Sequence, residues 1–434
     1  MDERKGLLRE LLSKRPADVA EALADLSDGQ AAEVIHRLFL HGAAANTLAE
    51  MDPDASAGVV EKLDRHEAST ILSRMSPDDA VDLLDELPDE VQQELLSRLS
   101  REDARVLTDL LAYPPDTAGG LMSPEVVPLS LGMTAQEAID FLRQRQEQAE
   151  TVYYAYAVDD AQHLIGVLSL RDIALAPPSR SLRELVVRDA VSVPVDADAE
   201  AVARLFDKYD YFALPVVDAE HKLLGVITVD DVIDVMRDEA TQDIYGLASV
   251  PTEEGLDTSW ATSFRLRLPW LYARLATALA AAFVVGLFEQ TIVKAVALAV
   301  IMGVIAGQGG SAGMQTVTII TRGMALGELD RRKGWRLLAK EVALAVVNGV
   351  LIGATVGGIT YLWKGEILLG VVVSIAMLLN MIIAAIGGVV IPVAVRGLGR
   401  DPAHISGIFL TTITDVVGFA LLFVIARLLL PAVR

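Results

Sequence analysis

One carboxylate stands in the most apolar part of the chain. Asp415 lies in the middle of residues 404–430, a stretch long and apolar enough to cross a bilayer. An acid at that depth is costly unless it faces water or a cation, so it predicts a functional site. On a helix, Asp415 would share a polar stripe with His404, Thr411 and Gly418, at successive offsets of 7, 4 and 3 residues. The alternative is an Asp415 that is protonated or hydrogen-bonded inside a helix bundle.

Small residues recur every three or four positions in a second apolar stretch. Gly303, Gly307 and Gly310 have the spacing that lets membrane helices approach closely. Packing alone would explain these glycines, so the sequence leaves open whether they also serve a functional site.

Charge divides the 434 residues into two unlike halves. The first 267 residues carry 24 Lys and Arg against 52 Asp and Glu, and the remainder carries 13 against 7. A strongly acidic soluble half repels phosphate and attracts cations, which excludes a nucleic-acid binder. The chain has no Cys, so disulfides and thiolate metal sites are excluded too. The charged N-terminus has no apolar signal region and indicates a cytoplasmic start.

The second half contains five stretches that could span a membrane. They are residues 268–288, 293–319, 342–363, 367–395 and 404–430. Positive charge gathers between the second and third spans, at Arg322, Lys333, Arg336 and Lys340, and cytoplasmic loops carry such an excess. The sequence therefore predicts a multi-pass protein of the cytoplasmic membrane, with its N-terminal domains in the cytoplasm and its C-terminus outside.

Residues 121–236 contain an internal duplication. The segments 154–173 and 212–232 share alternating apolar residues, a polar turn and a following Asp, with Gly166 and Gly225 equivalent. A predicted helix precedes each segment, and this paired α/β unit resembles a tandem CBS-domain module. Whether the pair binds ATP is left open, because Tyr153 and related side chains have structural explanations as well.

Helical domains flank this pair. Before it, residues 15–112 contain capped short helices with carboxylates in their first turns, as at Ser76–Asp79, Leu87–Glu90 and Ser100–Asp103. Such carboxylates serve either as helix-dipole partners or as cation sensors. After it, residues 238–267 predict an amphipathic helix with a basic, aromatic end suited to a membrane surface.

Three strings in this order closely resemble the MgtE family of magnesium channels and transporters. They are TAGGLMSPEVV (117–127), GQGGSAGMQTVTIITRGMALGE (307–328) and DPAHISGIFLTTITDVVG (401–418). The resemblance covers nearly the whole chain and implies a multi-domain membrane protein. Its parts would be an all-α helical-hairpin N-domain (1–116), two CBS domains (117–180 and 181–237), an amphipathic plug helix (238–267) and an all-α five-span domain (268–434).

The resemblance implies a homodimer in the lipid bilayer that takes up Mg²⁺. Asp415 of each subunit, with the backbone carbonyl of Thr411, would hold a largely hydrated ion in the pore. Cytoplasmic Mg²⁺ would bridge carboxylates and close the pore. The matching regulatory positions are Asp198, Glu200, Asp210, Asp231, Glu239, Asp243 and Asp401.

Departures from the family pattern leave selectivity open. Ser311, Met314 and Ile408 differ from the residues usual in the pore segments, and Gln242 stands where an acid is frequent. The alternatives are a coupled transporter of Mg²⁺ or another divalent ion such as Co²⁺, and a membrane-anchored CBS regulatory protein. An enzyme is not expected, because the sequence contains no Walker A, HExxH or GxSxG motif.

Overall fold

The computed structural model describes residues 11–145, 153–248, 250–252, 254–256, 258–325, 329 and 331–431. Among these, the side chains of Asp243, Arg331, Arg332 and His404 are outside the description. The chain divides into two compact units, with the boundary after Met236. Each unit is described by itself.

Short capped helices build the first part of the N-terminal unit. They are α1 (Pro16–Ala24), α2 (Asp28–Phe39), α3 (Ala44–Ala49), α4 (Pro53–Lys62), α5 (Arg65–Leu72), α6 (Pro77–Asp85), α7 (Asp89–Arg98) and α8 (Arg101–Leu110). The sequence predicted the starts of α6, α7 and α8 from Pro and cap residues. Ser100, for example, accepts a hydrogen bond from the backbone N–H of Asp103 at 3.1 Å.

The duplication predicted from sequence forms two three-stranded sheets. The first copy contains β1 (Pro128–Ser130), α9 (Ala135–Gln144), β2 (Tyr154–Val158), β3 (Leu164–Ser169) and α10 (Leu170–Leu175). The second contains β4 (Val193–Pro194), α11 (Ala199–Tyr209), β5 (Ala213–Val217), β6 (Leu223–Thr228) and α12 (Val229–Ala248). In each sheet the first two strands are parallel and the last two antiparallel.

Details of the register repeat between the copies. Gly166 pairs with Ala157 and Gly225 with Val216, and a register shift follows each partner. A Cβ on Gly225 would lie 2.5 Å from the backbone carbonyl oxygen of Ser123, and a Cβ on Gly166 would meet a backbone carbonyl as well. Both glycines are therefore required by the close approach of another backbone segment.

The core of the helical domain continues into the second copy. One cluster of buried side chains joins Ile35, Leu48 and Leu84 to Phe206 and Ile227. A separate, smaller cluster serves the first copy, and another joins Tyr156 and Leu164 of the first copy to Val217 and Val226 of the second. The N-domain and the second CBS copy thus share a core within the N-terminal unit.

The connecting helix predicted over 238–267 is divided in the structure. Its first part belongs to α12, which begins at Val229 and ends at Ala248. Pro251 and Gly255 lie in the irregular segment that follows, and both residue types disfavour helix. The basic and aromatic residues from Trp260 onward begin the first membrane helix instead. There, Arg267 makes a two-pronged ion pair with the buried Glu254.

Five helices in the described part of the second unit are long and apolar enough to cross a membrane, as predicted. They are α13 (Trp260–Leu287), α15 (Val296–Ala325), α16 (Arg331–Lys364), α17 (Ile367–Gly397) and α18 (Pro402–Leu429), with the short α14 (Glu289–Lys294) between the first two. Their ends differ from the predicted spans because polar first and last turns extend the helices beyond the apolar stretch.

Helix α17 is the centre of this bundle. It packs against α15, α16 and α18, while α18 also packs against α13 and α15. At its middle, the fully buried Asn380 donates a hydrogen bond from Nδ2 to the carbonyl oxygen of Ile305 at 2.9 Å. Farther along, the Ser374 hydroxyl donates to the carbonyl oxygen of Gly353 on α16 at 2.9 Å. The helix backbones lie so close together at these two contacts that there is no room for a Cβ on the partner helix, so glycine is required there.

We expect Gly353→Ala to destabilise the bundle and Gly358→Ala, its control on the same helix, to leave it intact. A Cβ at Gly353 would lie 2.8 Å from the carbonyl oxygen of Ser374, whereas a Cβ at Gly358 meets nothing within 4 Å. Overpacking costs about 1–3 kcal/mol, while alanine favours a helix over glycine by up to about 1 kcal/mol. Thermal unfolding of the detergent-solubilised protein measures both. Equal midpoints for the two variants would contradict the assigned helix contact.

Candidate functional site

Asp415 faces a cavity between three membrane helices. The cavity has a volume of about 390 Å³. Its lining residues are Arg274, Thr277 and Ala278 of α13, Ala306, Gly307, Gly310 and Ser311 of α15, and Thr411, Thr412 and Asp415 of α18. The side chain of Asp415 is half-buried, and within the described residues it makes no hydrogen bond and no ion pair within 4.0 Å. A hydrogen-bonded Asp415 inside the bundle, the alternative left open by the sequence, is therefore not observed.

The polar stripe predicted on α18 is split between two surroundings. Thr411 and Asp415 line the cavity. Gly418 faces α17 instead, because a Cβ there would lie 2.9 Å from the side chain of Asn380. His404 belongs to the predicted stripe as well, but its side chain lies outside the described residues.

The carbonyl group of Thr411 already accepts hydrogen bonds. The Thr414 hydroxyl donates to it at 3.0 Å, and helix geometry adds the backbone N–H of Asp415. The Thr411 hydroxyl in turn donates to the carbonyl oxygen of Gly407 at 3.0 Å. A cation at this carbonyl would need the Thr414 hydroxyl to rotate away, so the role predicted for Thr411 stays a prediction.

Helix α15 has glycines on two faces with different surroundings. A Cβ at Gly303 or Gly307 would meet nothing within 4 Å, and Gly310 lies beside the cavity. Gly309 and Gly313 are the packing glycines, since a Cβ there would run into Asn380 and Leu410 respectively. Packing against the described residues therefore does not explain the three glycines singled out in the sequence.

Three of the predicted regulatory carboxylates lie at the two ends of α11. Asp198 caps the helix by accepting a hydrogen bond from the backbone N–H of Ala201 at 3.1 Å. Glu200 pairs with Arg204 at 2.6 Å. Asp210 ends the helix in the left-handed conformation, with φ of 54°. Because eleven helical residues, about 16 Å, separate the ends, the structure does not bring these three together within one chain.

The other predicted regulatory residues are spread along the second half. Asp231 and Glu239 lie two turns apart on α12, and the side chain of Asp243 is outside the described residues. Asp401 caps α18, where it accepts a hydrogen bond from the backbone N–H of Ala403 at 2.9 Å. Within the described part of the chain, no three His, Asp or Glu side chains lie close enough to hold one metal ion together.

The structure brings several carboxylates together in the N-terminal unit, a cluster that the sequence did not predict although it named Asp79 and Asp231 separately. Partial burial raises the pKa of Asp231 to about 7, opposed by a hydrogen bond from the Thr228 hydroxyl at 2.7 Å, and the charges of Asp230 and Asp79 raise it further. Burial also raises the pKa of Asp79 above its usual range, with Asp230, Glu50 and Asp234 adding to the rise. We call Glu50, Asp79, Asp230, Asp231 and Asp234 the acidic cluster.

Ionisation of the acidic cluster lowers the free energy of unfolding of the N-terminal unit. Because the pKa of Asp231 is higher in the folded chain than in an unfolded one, the folded state loses stability as pH rises toward and through 7. A cation between the carboxylates would offset this repulsion. The signal available in sequence was the run of acids at positions 78, 79, 82 and 85, where like charges repeat along one helix.

Two exposed aromatic rings, one from each CBS copy, stack on each other. Tyr153 and Phe212 precede β2 and β5 at equivalent positions, and their rings stack with centroids 5.4 Å apart. Their exposed fractions are 63% and 54%. Asp172 of the first copy is exposed, whereas its equivalent Asp231 is hydrogen-bonded to Thr228. Exposed stacked rings offer a nucleobase a surface on which to stack.

Comparisons with known proteins match parts of both the N-terminal and the membrane half of the chain. Residues 302–425 match the MgtE family, described as divalent cation transporters, residues 14–116 match the MgtE intracellular N domain, and residues 118–179 and 182–238 match CBS domains. The chain is 39% identical over 330 residues to the magnesium transporter MgtE of Thermus thermophilus, covering 75% of this chain and 72% of that one. It is 36% identical over 322 residues to the magnesium transporter MgtE of Enterococcus faecalis, covering 74% and 71%.

A solved structure gives the same result for the N-terminal half. A crystal structure of the cytosolic domain of the Mg²⁺ channel MgtE in complex with ATP is 37% identical to this chain, with a TM-score of 0.51. The match covers 54% of this chain and 94% of that one. The predicted fold class, a helical domain and CBS pair joined to five membrane helices, is thereby confirmed.

Proposed function

Because this chain belongs to the MgtE family of magnesium transporters, we propose that it is a Mg²⁺-selective channel whose ion path passes Asp415. The observation that carries this proposal is the Asp415 carboxylate, which has no hydrogen bond or ion pair within the described residues and lies against a cavity inside the bundle. An acid at membrane depth is costly when it is dry. It is tolerable where water and a cation reach it.

The lining of the cavity suits a hydrated ion. Mg²⁺ prefers six oxygen ligands and gives up its water reluctantly. Six waters at about 30 Å³ each need about 180 Å³, and the cavity has about 390 Å³. Gly307 and Gly310 leave room on one wall, while hydroxyls of Ser311 and Thr412 offer hydrogen bonds to ion-bound water. Asp415 would then act on the ion through its water shell.

A second subunit completes this site in our proposal. One carboxylate balances half the charge of a divalent ion, and Arg274 in the same cavity opposes the cation. A two-fold axis beside α18 would supply a second Asp415. The open face of α15 at Gly303 and Gly307 supports the approach of a second subunit. A Cβ added at either glycine would have no atom of the described residues within 4 Å.

We expect Asp415→Asn to abolish Mg²⁺ uptake into proteoliposomes. A unit charge pair at 4 Å is worth about 4 kcal/mol at an effective dielectric constant of about 20, and even a third of that changes a rate about tenfold. Glu366→Gln removes the same charge from an exposed position outside the cavity and is the control. Uptake by Asp415→Asn equal to that of the control would refute the pore assignment.

The same liposomes distinguish the alternatives. A coupled transporter would need a pH gradient or a counter-ion, whereas a channel follows the Mg²⁺ gradient and voltage alone. Transport of Co²⁺ at a similar rate would indicate a broader divalent specificity. A membrane-anchored CBS regulatory protein would give no flux at all.

We also propose that internal Mg²⁺ closes the channel by binding at the acidic cluster. The excess of Lys and Arg between α15 and α16 supports a cytoplasmic position for the N-terminal unit. The repelling carboxylates of the cluster support cation binding there, through ordered water rather than by direct chelation. Helix α12 starts within the cluster and continues past Met236 into the second unit, so a change at the cluster has a covalent route to the bundle.

We expect millimolar Mg²⁺ to slow proteolysis of the N-terminal unit in the full-length protein. Bound Mg²⁺ relieves repulsion in the acidic cluster and stabilises the folded state by mass action. Asp79→Asn combined with Asp231→Asn should remove the effect. Asp160→Asn combined with Glu220→Gln is the matched control, because these acids lie exposed in turns outside the cluster. Identical digestion of all three proteins with and without Mg²⁺, at constant ionic strength, would contradict the gating proposal.

We further propose that ATP binds between the CBS copies at Tyr153 and Phe212. The relative crystallised with ATP supports this ligand. Stacking of a base on an aromatic side chain is worth about 1–3 kcal/mol, so Phe212→Leu should weaken binding by about fivefold or more. Tyr209→Leu is the control, because Tyr209 is also an exposed ring in an aromatic pair. Calorimetric titration with ATP measures both, and equal affinities would place the nucleotide elsewhere.

A further inference from the structure

A second cavity lies where α15 ends and α16 begins. Its volume is about 390 Å³. The apolar side chains of Ile319, Leu329 and Leu337 form part of its lining. Three cations, Lys333, Arg336 and Lys340, form the rest of the lining together with Gly323. It shares no lining residue with the cavity at Asp415.

The three cations are arranged along one face of α16. Their positions, separated by three and four residues, are successive turns of one helix face. Arg336 and Lys340 are exposed at the surface of the bundle, and the Lys340 ammonium also lies 3.6 Å from Oε1 of Glu341. The facing wall, from α15, contributes Ile319 and no charge. The cavity therefore combines a row of positive charge with an apolar wall.

A buried contact fixes the two helices at this cavity. Glu341, next to Lys340, is only 7% exposed, and its Oε2 accepts a hydrogen bond from the Thr316 hydroxyl of α15 at 3.0 Å. Thr316 lies one turn from Ile319 on α15. This interhelical hydrogen bond joins the two walls next to the lining residues, so the cavity belongs to the packed bundle rather than to a loose surface.

The cavity lies at the level of a membrane–water interface. Helix α15 ends at Ala325 and α16 begins at Arg331, which places the helical lining residues within the last two turns of one membrane helix and the first three turns of the next. Trp335, 75% exposed, stands among the three cations, and exposed tryptophan beside Lys and Arg is typical of interfacial positions. Phosphate groups of lipids occupy this level.

We propose that this cavity binds the headgroup of an anionic phospholipid. The phosphate would lie against Lys333, Arg336 and Lys340, and the first part of an acyl chain would lie against Ile319, Leu329 and Leu337. Basic pockets between membrane helices bind anionic headgroups by this combination of charge and depth. A free phosphate ion would use only the cationic half of the lining. The complementary charge and the apolar wall together select a lipid.

Native mass spectrometry of the delipidated full-length protein tests the proposal. The probes are phosphatidylglycerol and phosphatidylcholine with identical acyl chains. We expect the first phosphatidylglycerol to bind about tenfold more tightly than phosphatidylcholine, because each cation near a headgroup contributes to the preference. Changing Lys333, Arg336 and Lys340 together to Gln should reduce the preference to within about twofold.

Two further variants separate binding at the cavity from general surface charge and from misfolding. Arg265, Arg322 and Arg400, all exposed at the same end of the bundle and outside the cavity, are changed together to Gln as the charge-matched control, which should keep the preference. The exchange Lys333→Arg, Arg336→Lys and Lys340→Arg should also keep it and shows that the fold tolerates change at this cavity. Loss of the preference in the control to the same degree would overturn the proposal in favour of general surface charge.

Competition separates a lipid from an ion. Millimolar inorganic phosphate should leave phosphatidylglycerol bound, because the ion lacks the acyl chain. Displacement of the lipid by phosphate at that concentration would overturn the proposal. Equal binding of phosphatidylglycerol and phosphatidylcholine to the unmodified protein would do so as well.

Discussion

A carboxylate inside a bilayer is tolerable only where water or a cation reaches it, and this constraint governs the membrane half. Asp415 meets it by lying against a cavity rather than against lipid or a hydrogen-bonding neighbour. The surrounding helices then have to leave space on one side while staying closely packed on the other. Buried Asn380 and the glycines that contact it close the packed side. The bundle is thus dense around α17 and open beside α18.

Burial makes carboxylate charge costly in the N-terminal unit as well, but there several acids lie close together instead of one lying alone. There the carboxylates approach one another in a protein environment that partly excludes water, and the raised pKa of Asp231 expresses the cost of their charge. The carboxylates of such a cluster repel one another, and a bound divalent ion reduces this repulsion. In our proposal Mg²⁺ acts on both halves, as the transported ion where a single acid faces a cavity and as a regulator where several acids repel each other.

Much of this architecture follows from local sequence signals. Pro and Ser caps predicted the starts of α6 and α8, the duplication predicted both sheets, and the isolated Asp415 drew attention to a residue that lines a cavity in the second unit. Contacts between distant elements were beyond such signals. The acidic cluster joins residues from α6 and α12, which are about 150 positions apart, and the hydrogen bond between Thr316 and Glu341 spans two helices. Local spacing also could not separate packing glycines from those that face the cavity, because both repeat with the period of one helix.

The two glycine faces of α15 differ in whether they tolerate a larger residue. On the packed face, at Gly309 and Gly313, an added methyl group would push into a neighbouring helix, so change there is costly for the whole bundle. On the other face, at Gly303 and Gly307, a larger residue meets no obstacle from its own chain. A replacement at Gly307 would therefore narrow or re-polarise the cavity beside Asp415 without displacing another helix of its own chain. In this helix, one set of glycines determines the packing of the bundle and another leaves the open face free of contacts within the chain.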